Sequence, residues 1–310
     1  MSGDSVAGTE RFSRAMLGTV QFGMPYGVAN RTGMPDENLV AAIVSEAVDG
    51  GVTAFDTAAS YGVSEEVLGR VFQRLGLRDR VTVVTKVRPL SDADRSDAAR
   101  AREAIERSVA ESRRKLGLDR IAAVLFHREE DARWLDELRR LADRGWFARC
   151  GVSCDNVPGP AVAFASDPRV AALQLPANLL DTRHLRSGVL AAAARRGVAV
   201  FVRSAFLQGL LLMPEASVPA ALAGVVPWRR MLQRIAADAG LEMGELAIRY
   251  LLAIEGVTSV LIGVETREQL RQNVSYFQRG PLPADLLAAI ERLALSPSEL
   301  EITPRLWPPR

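Results

Sequence analysis

The chain has 310 residues, 48% hydrophobic and 25% charged, with a formal net charge of +2. That is globular composition, long enough for a large core, and the near balance of charge gives no reason to invoke nucleic acid or a membrane surface. No apolar run reaches 18 residues, so no membrane span is expected, and Met-Ser-Gly-Asp-Ser at the N-terminus lacks the basic and apolar regions of a secretory leader.

In chain order, apolar β-rich runs predict strands near 15–22, 52–57, 81–87, 121–127, 149–154, 172–177, 198–204 and 259–264. Several are almost continuously apolar, which suits parallel strands buried on both faces. Helical periodicity lies between them, at Glu37–Gly50, Ser64–Leu75, Asp97–Leu116, Ala132–Arg144 and Leu185–Arg196, with glycine often marking the exit to the next strand. Leu211–Trp228 reads as a long loop after strand seven, followed by one helix over 229–254. Two further helices follow strand eight near 266–275 and 283–294, and the Pro-rich tail from Pro304 to Arg310 reads as irregular. Eightfold strand–helix alternation predicts an α/β fold, a (β/α)8 TIM barrel forming one domain over 1–310.

The basic residues carry the chemical signal. Only two of the 39 are lysine, Lys86 and Lys115, and there are only two histidines, His127 and His184. Where positive charge merely solvates a surface this chain uses arginine, so a retained lysine is a candidate for work that arginine cannot do. Asp56, Lys86 and His127 each close a predicted strand, and Tyr61 follows the first of them by five residues. Strand C-termini form one rim of a parallel barrel, where active sites lie, so the four are expected to converge. A tyrosine hydroxyl is a weak acid, and a neighbouring ammonium favours its phenolate. With Asp56 orienting Lys86 and His127 bonding a substrate oxygen, the set suits proton delivery to, or removal from, a carbonyl or alcohol oxygen. Taken singly, Lys86 fits a strand end, His127 a core histidine, Asp56 a helix cap and Tyr61 a packed aromatic. Met24-Pro25-Tyr26 suits either a pocket wall or a structural turn. No nucleophile motif and no metal-ligand spacing is present. Lys115 suits a helix end and His184 an exposed loop. Cys150 and Cys154, about 13 Å apart along one predicted strand, are too far apart to bridge, so the expected compartment is the reducing cytoplasm.

Phe-Asp-Thr-Ala-Ala-Ser-Tyr-Gly-Val-Ser-Glu-Glu-Val-Leu-Gly (55–69) resembles the F-D-T-A-x-x-Y-G-x-S-E-x-x-L-G signature of the aldo-keto reductases. Leu-Gly-Thr (17–19), Thr-Lys (85–86), Phe-His (126–127), Gly-Val-Ser (151–153), Gln174 with Asn178, and Gln-Leu-Arg-Gln-Asn (269–273) are similar to further family segments, in the same order. The resemblance implies hydride transfer between a nicotinamide cofactor and an aldehyde or ketone. Tyr61 would be the general acid, supported by Lys86 and Asp56, with His127 orienting the carbonyl. It also implies a cofactor site of Gly18, Thr19, Ser153, Gln174, Arg203, Ser204, Leu207, Gly209, Gly263, Glu265, Arg267, Gln269, Gln272 and Asn273. NADP(H) is the family expectation. Glu265, where many members carry a cation facing the 2′-phosphate, admits NAD(H), with Arg267 available to compensate. Cys154 and Arg203 also depart from the family pattern, at an Asn and at an aromatic position. The alternatives are a sugar or alcohol dehydrogenase using the same residues, weakly suggested by residues 17–30, and a non-catalytic cofactor sensor. A small-molecule substrate and a monomer are expected.

Overall fold

Eight parallel strands close into a barrel in simple chain order in a computed structural model that describes residues 11–30 and 33–308. The N-terminal segment considered above as a leader, and the last two residues of the tail, lie outside the described residues. The strands are β1 (Ala15–Gly18), β2 (Ala54–Asp56), β3 (Thr82–Val87), β4 (Ile121–Phe126), β5 (Phe147–Ser153), β6 (Ala172–Pro176), β7 (Ala199–Arg203) and β8 (Ser259–Gly263). β1 pairs with β8, Leu17 opposite Ile262, which closes the ring. Helices α1 (Glu37–Asp49), α2 (Ser64–Leu75), α3 (Asp92–Arg95), α4 (Ala98–Leu116), α5 (Leu135–Asp143), α6 (Gly159–Ser166), α7 (Arg183–Arg186), α8 (Val189–Arg196), α9 (Val226–Asp238) and α10 (Met243–Ala253) connect the strands. After β8 come α11 (Arg267–Gln278), α12 (Ala284–Arg292) and α13 (Glu299–Ile302). No described helix is long and apolar enough to cross a membrane.

Strand alternation sorts the core into two parts. One set of strand residues, including Leu17, Phe55, Val83 and Val124, packs against apolar helix faces such as Ile43, Val44 and Phe72. The other set fills the barrel: Met16, Ala54, Val84, Ala123, Leu125, Ala172, Ala199, Phe201 and Leu261, with Phe12 packed against them. Phe12 meets Phe201 edge to face, ring centres 4.8 Å apart. The interior is therefore a packed core and not a channel.

Five local expectations are corrected. β1 stops at Gly18, because Val20–Phe22 turns into a 3₁₀ segment. The helix expected over 229–254 is two helices, broken at Gly240 in the left-handed region (φ 66°). The segment after β7 carries 3₁₀ turns at Leu207–Gly209, Glu215–Ser217 and Ala220–Val225, and α9 starts at Val226 with Pro227 in its first turn. The tail is ordered through a 3₁₀ turn at Pro304–Leu306, preceded by α13 with its Ser298/Glu301 capping box. His184, expected in an exposed loop, is buried, with Nε2 2.6 Å from the Asp155 carbonyl oxygen.

Candidate active site

Side-chain alternation builds the site directly on the barrel core. Two residues beyond each interior position, the next inward-facing side chain reaches the C-terminal rim. Met16 leads to Gly18, Ala54 to Asp56, Val84 to Lys86, Leu125 to His127, Ala172 to Gln174, Phe201 to Arg203 and Leu261 to Gly263. A Cβ on Gly151 would lie 2.7 Å from Leu125 Cδ2, so Gly151 also faces inward and leads to Ser153. All eight strands thus deliver one predicted site residue to one rim.

At its centre is a buried ion pair. Lys86 Nζ lies 2.8 Å from both oxygens of Asp56 and donates to the Thr57 carbonyl oxygen at 2.9 Å. The two side chains are 0% and 4% exposed. Burial opposes the charged ammonium, but the Asp56 carboxylate and Tyr61 outweigh it and raise the Lys86 pKa. Asp56 also accepts from Gln174 Nε2 at 2.7 Å, and Ser153 Oγ lies 3.4 Å from Gln174 Oε1. A continuous polar chain therefore runs from Ser153 to Lys86.

Tyr61 stands above this pair. Lys86 Nζ is 4.9 Å from the centre of its ring, and His127 meets the ring edge to face at 5.5 Å. The turn carrying Tyr61 is clamped to the loop after β1. A Cβ on Gly23 would fall 1.9 Å from the Tyr61 carbonyl oxygen, and one on Gly62 (φ 53°) 2.1 Å from the Gly23 oxygen. Only glycine permits that approach. Ser64 completes the clamp, its hydroxyl 2.9 Å from Thr19 Oγ1 and 3.0 Å from Thr57 Oγ1. His127 is half-buried, and its pKa falls to about 3 through burial first, then the charges of Lys86, Arg203 and Arg128. It is neutral at any physiological pH.

A cleft of about 1,020 Å³ opens from these groups and runs to Glu265, Gln269, Gln272 and Asn273. Asp56, Tyr61 and His127 line it, as do Gly18, Thr19, Ser153, Gln174, Arg203, Ser204, Gly209 and Gly263. Lys86 lies behind this surface. Leu207 and Arg267 do not line it. Leu207 is buried, with its backbone at φ 49°, and Arg267 is drawn to Glu46 on α1, Nε to Oε1 at 2.9 Å. Thr19 lines the cleft, but its hydroxyl donates to the Asp56 carbonyl oxygen at 2.9 Å. Arg203 spans toward β5, donating to the Cys154 carbonyl oxygen at 3.0 Å. The Cys154 thiol is buried and its pKa pushed well up, by burial first. The cysteines are both free.

Other lining residues escaped sequence reasoning: Gln21, Asn30, Arg128, Asp155 and Gln208. Extending β1 through residue 22 hid Gln21. The bare glycines offered a signal, since a Cβ on Gly263 would come 2.5 Å from Gln21 Nε2. Tyr26, in the segment that suited either a wall or a turn, lines the cleft, and Gln208 Nε2 donates to its hydroxyl at 3.2 Å. The cleft fits an extended dinucleotide. It is long, floored by side-chain-free Gly18 and Gly263, and holds the buried Gln21 Oε1, which has no hydrogen-bond partner among the described residues.

The family model described as "Aldo/keto reductase family" matches residues 15–295. An L-glyceraldehyde 3-phosphate reductase of Escherichia coli O157:H7 is 26% identical over 284 residues, spanning 81% of this chain and 82% of its own. A D-threo-aldose 1-dehydrogenase of Pseudomonas sp is 28% identical over 299 residues, spanning 83% and 88%. Among solved structures, an aldo-keto reductase from Bacillus halodurans in its holo form superposes with a TM-score of 0.72. It is 22% identical, covers 94% of this chain and 95% of its own, and shares the fold. With the family match running from the first residue of β1 past the end of α12, the chain belongs to the aldo/keto reductase family.

Proposed function

We propose that the cleft reduces an aldehyde or ketone with NAD(P)H, Tyr61 supplying the proton. The observation that carries this is the fully buried Lys86–Asp56 pair beneath Tyr61, with neutral His127 at the ring edge. A bound nicotinamide nucleotide supplies a hydride to the carbonyl carbon. The residues do the rest: His127 donates a hydrogen bond to the carbonyl oxygen, and Tyr61 passes its hydroxyl proton to that oxygen. The phenolate left behind sits beside the Lys86 ammonium until solvent returns a proton. Ser153 and Gln174 would hold the carboxamide, Ser204 and Gly209 the pyrophosphate, and Glu265, Gln269, Gln272 and Asn273 the adenosine end.

The test is the loss of reduced-nicotinamide absorbance with an aromatic aldehyde, NADPH and NADH in parallel, and Tyr61→Phe as control. Turnover that drops at least 10²-fold in Tyr61→Phe supports the reading. Turnover indifferent to that change would overturn it, and binding of cofactor without turnover would favour the sensor. The second reading is the reverse reaction, oxidation of a sugar or alcohol, since the same groups serve both directions. The relative named as an aldose dehydrogenase favours it, as do the polar walls at Gln21, Tyr26 and Gln208. For the cofactor we propose weak discrimination. NADP(H) is the family habit, while Glu265 lines the cleft and Arg267 is engaged by Glu46. A preference for NADPH above about a hundredfold, about 2.7 kcal/mol, would overturn that. We also take the chain to act as one domain, a monomer in the cytoplasm, which light scattering on the purified protein and fractionation of the source cells would check.

A further inference from the structure

Ser60 precedes Tyr61 in the turn after β2, and its hydroxyl lies 2.9 Å from His127 Nδ1. Among the described residues this is the one hydrogen bond of the Ser60 side chain. The imidazole is uncharged at neutral pH, so a single hydrogen is shared between two ring nitrogens. Nε2 has no protein partner among the described residues and is not sealed off from the cleft. Two arrangements follow. If Nδ1 carries the hydrogen, Ser60 accepts it, the serine hydrogen has no protein acceptor, and Nε2 turns a lone pair toward the cleft. A substrate carbonyl oxygen would then meet a second lone pair. If Ser60 donates to Nδ1, Nε2 must carry the hydrogen and the ring presents a donor to the cleft.

We infer that Ser60 is a positioning residue that donates to Nδ1 and so fixes the Nε2–H tautomer with which His127 holds the substrate carbonyl. The inference rests on His127 being the carbonyl donor, as proposed above. It gives the serine in Phe-Asp-Thr-Ala-Ala-Ser-Tyr a role apart from those of Asp56 and Tyr61. One short turn would supply both the proton and the orientation of the group that receives the substrate.

The chain is suited to a direct test because it has two histidines. His184 serves as an internal standard: its Nε2 faces a carbonyl oxygen, which can only accept, so its tautomer is set. With ¹⁵N-histidine labelling, the expected wild-type spectrum shows Nε2 protonated in both residues, with His127 Nδ1 shifted by an accepted hydrogen bond. In Ser60→Ala that shift should disappear, and kcat for carbonyl reduction should fall about tenfold, with cofactor affinity and Tm unchanged. Ser60→Thr, which keeps the hydroxyl, should restore both. In a His127→Gln background, Ser60→Ala should add no further loss. Protonated Nδ1 in the wild type would overturn the inference. So would a Ser60→Ala variant with unaltered kcat, or one whose kcat falls while the Nδ1 signal stays in place. A wild type without turnover would overturn the proposed function, and the spectrum would still decide which way the Ser60 bond runs.

Discussion

At the residue scale, the site depends on one buried charge pair whose members are costly apart. Removing one partner of such a pair leaves an uncompensated charge, worth about 3–5 kcal/mol. Asp56→Ala is therefore expected to lose that much stability in urea denaturation as well as activity. Asp56→Ala with Lys86→Met should regain much of the stability and none of the turnover. His127 yields a pH prediction. An unfolded histidine titrates near 6.5, while the native ring is held down to about 3. Between those values the unfolded chain binds the extra proton. The contribution of His127 to stability is thus full above 6.5 and is lost as pH falls toward 3, by up to about 1.4 kcal/mol per pH unit. Denaturation at pH 5 and pH 7 should show a shallower dependence in His127→Gln than in the wild type. For the same reason, kcat should show no inflection from His127 between pH 5 and 8. Asp56, Lys86 and His127 were legible because each closes an apolar strand run, and the remaining rim residues were reached through the family resemblance. Gln21, Arg128 and Gln208 were not, since loops carry no strand period. Nor was the burial of His184, which depends on a carbonyl oxygen 29 positions away.

At the element scale, strands were easier to read than the segments joining them. The eight runs were recognisable because both faces are buried and the apolar residues hardly break. Errors arose where an apolar run does something other than extend. Val-Gln-Phe after Gly18 looks like more strand, yet its residues form a turn that brings Gln21 against Gly263. Gly240 looks like one more residue in a helical pattern, yet it ends a helix. The loop after β7 holds Ser204, Leu207 and Gln208 in the left-handed region, at φ 67°, 49° and 54°. Strain of this kind persists where the surroundings over-determine the backbone, and two of the three line the cleft. Ala294, at φ 47° just past α12, is exposed and does not line the cleft. Glycine is the usual residue at such a helix end. Ala294→Gly is expected to stabilise the protein by up to about 1 kcal/mol, a rise of about 2 °C in thermal denaturation, with kcat unaltered.

At the scale of the whole molecule, the tail belongs to the structure. Ile302 and Thr303 are buried, Arg183 Nη2 donates to Thr303 Oγ1 at 3.1 Å, and Asn156 Nδ2 donates to the Ile302 carbonyl oxygen at 3.4 Å. Ending the chain after Pro297 is expected to cost at least about 2 kcal/mol from the lost isoleucine burial alone, measurable as a drop in Tm. It should also raise KM, because Arg305 of the tail pairs at 3.7 Å with Asp155, which lines the cleft. The pairing of β1 with β8 reaches further. Tyr61, Lys86 and His127 are all synthesised within the first 127 residues, yet the ring that buries them is not complete until Gly263 has left the ribosome. A growing chain therefore carries its future ammonium and carboxylate in open water for more than half of its synthesis. Strand formation alone gives it no chemistry; closure does. Two fragments divided in an exposed connection, each inert alone, should acquire turnover together when the seam between residues 15 and 263 forms between them.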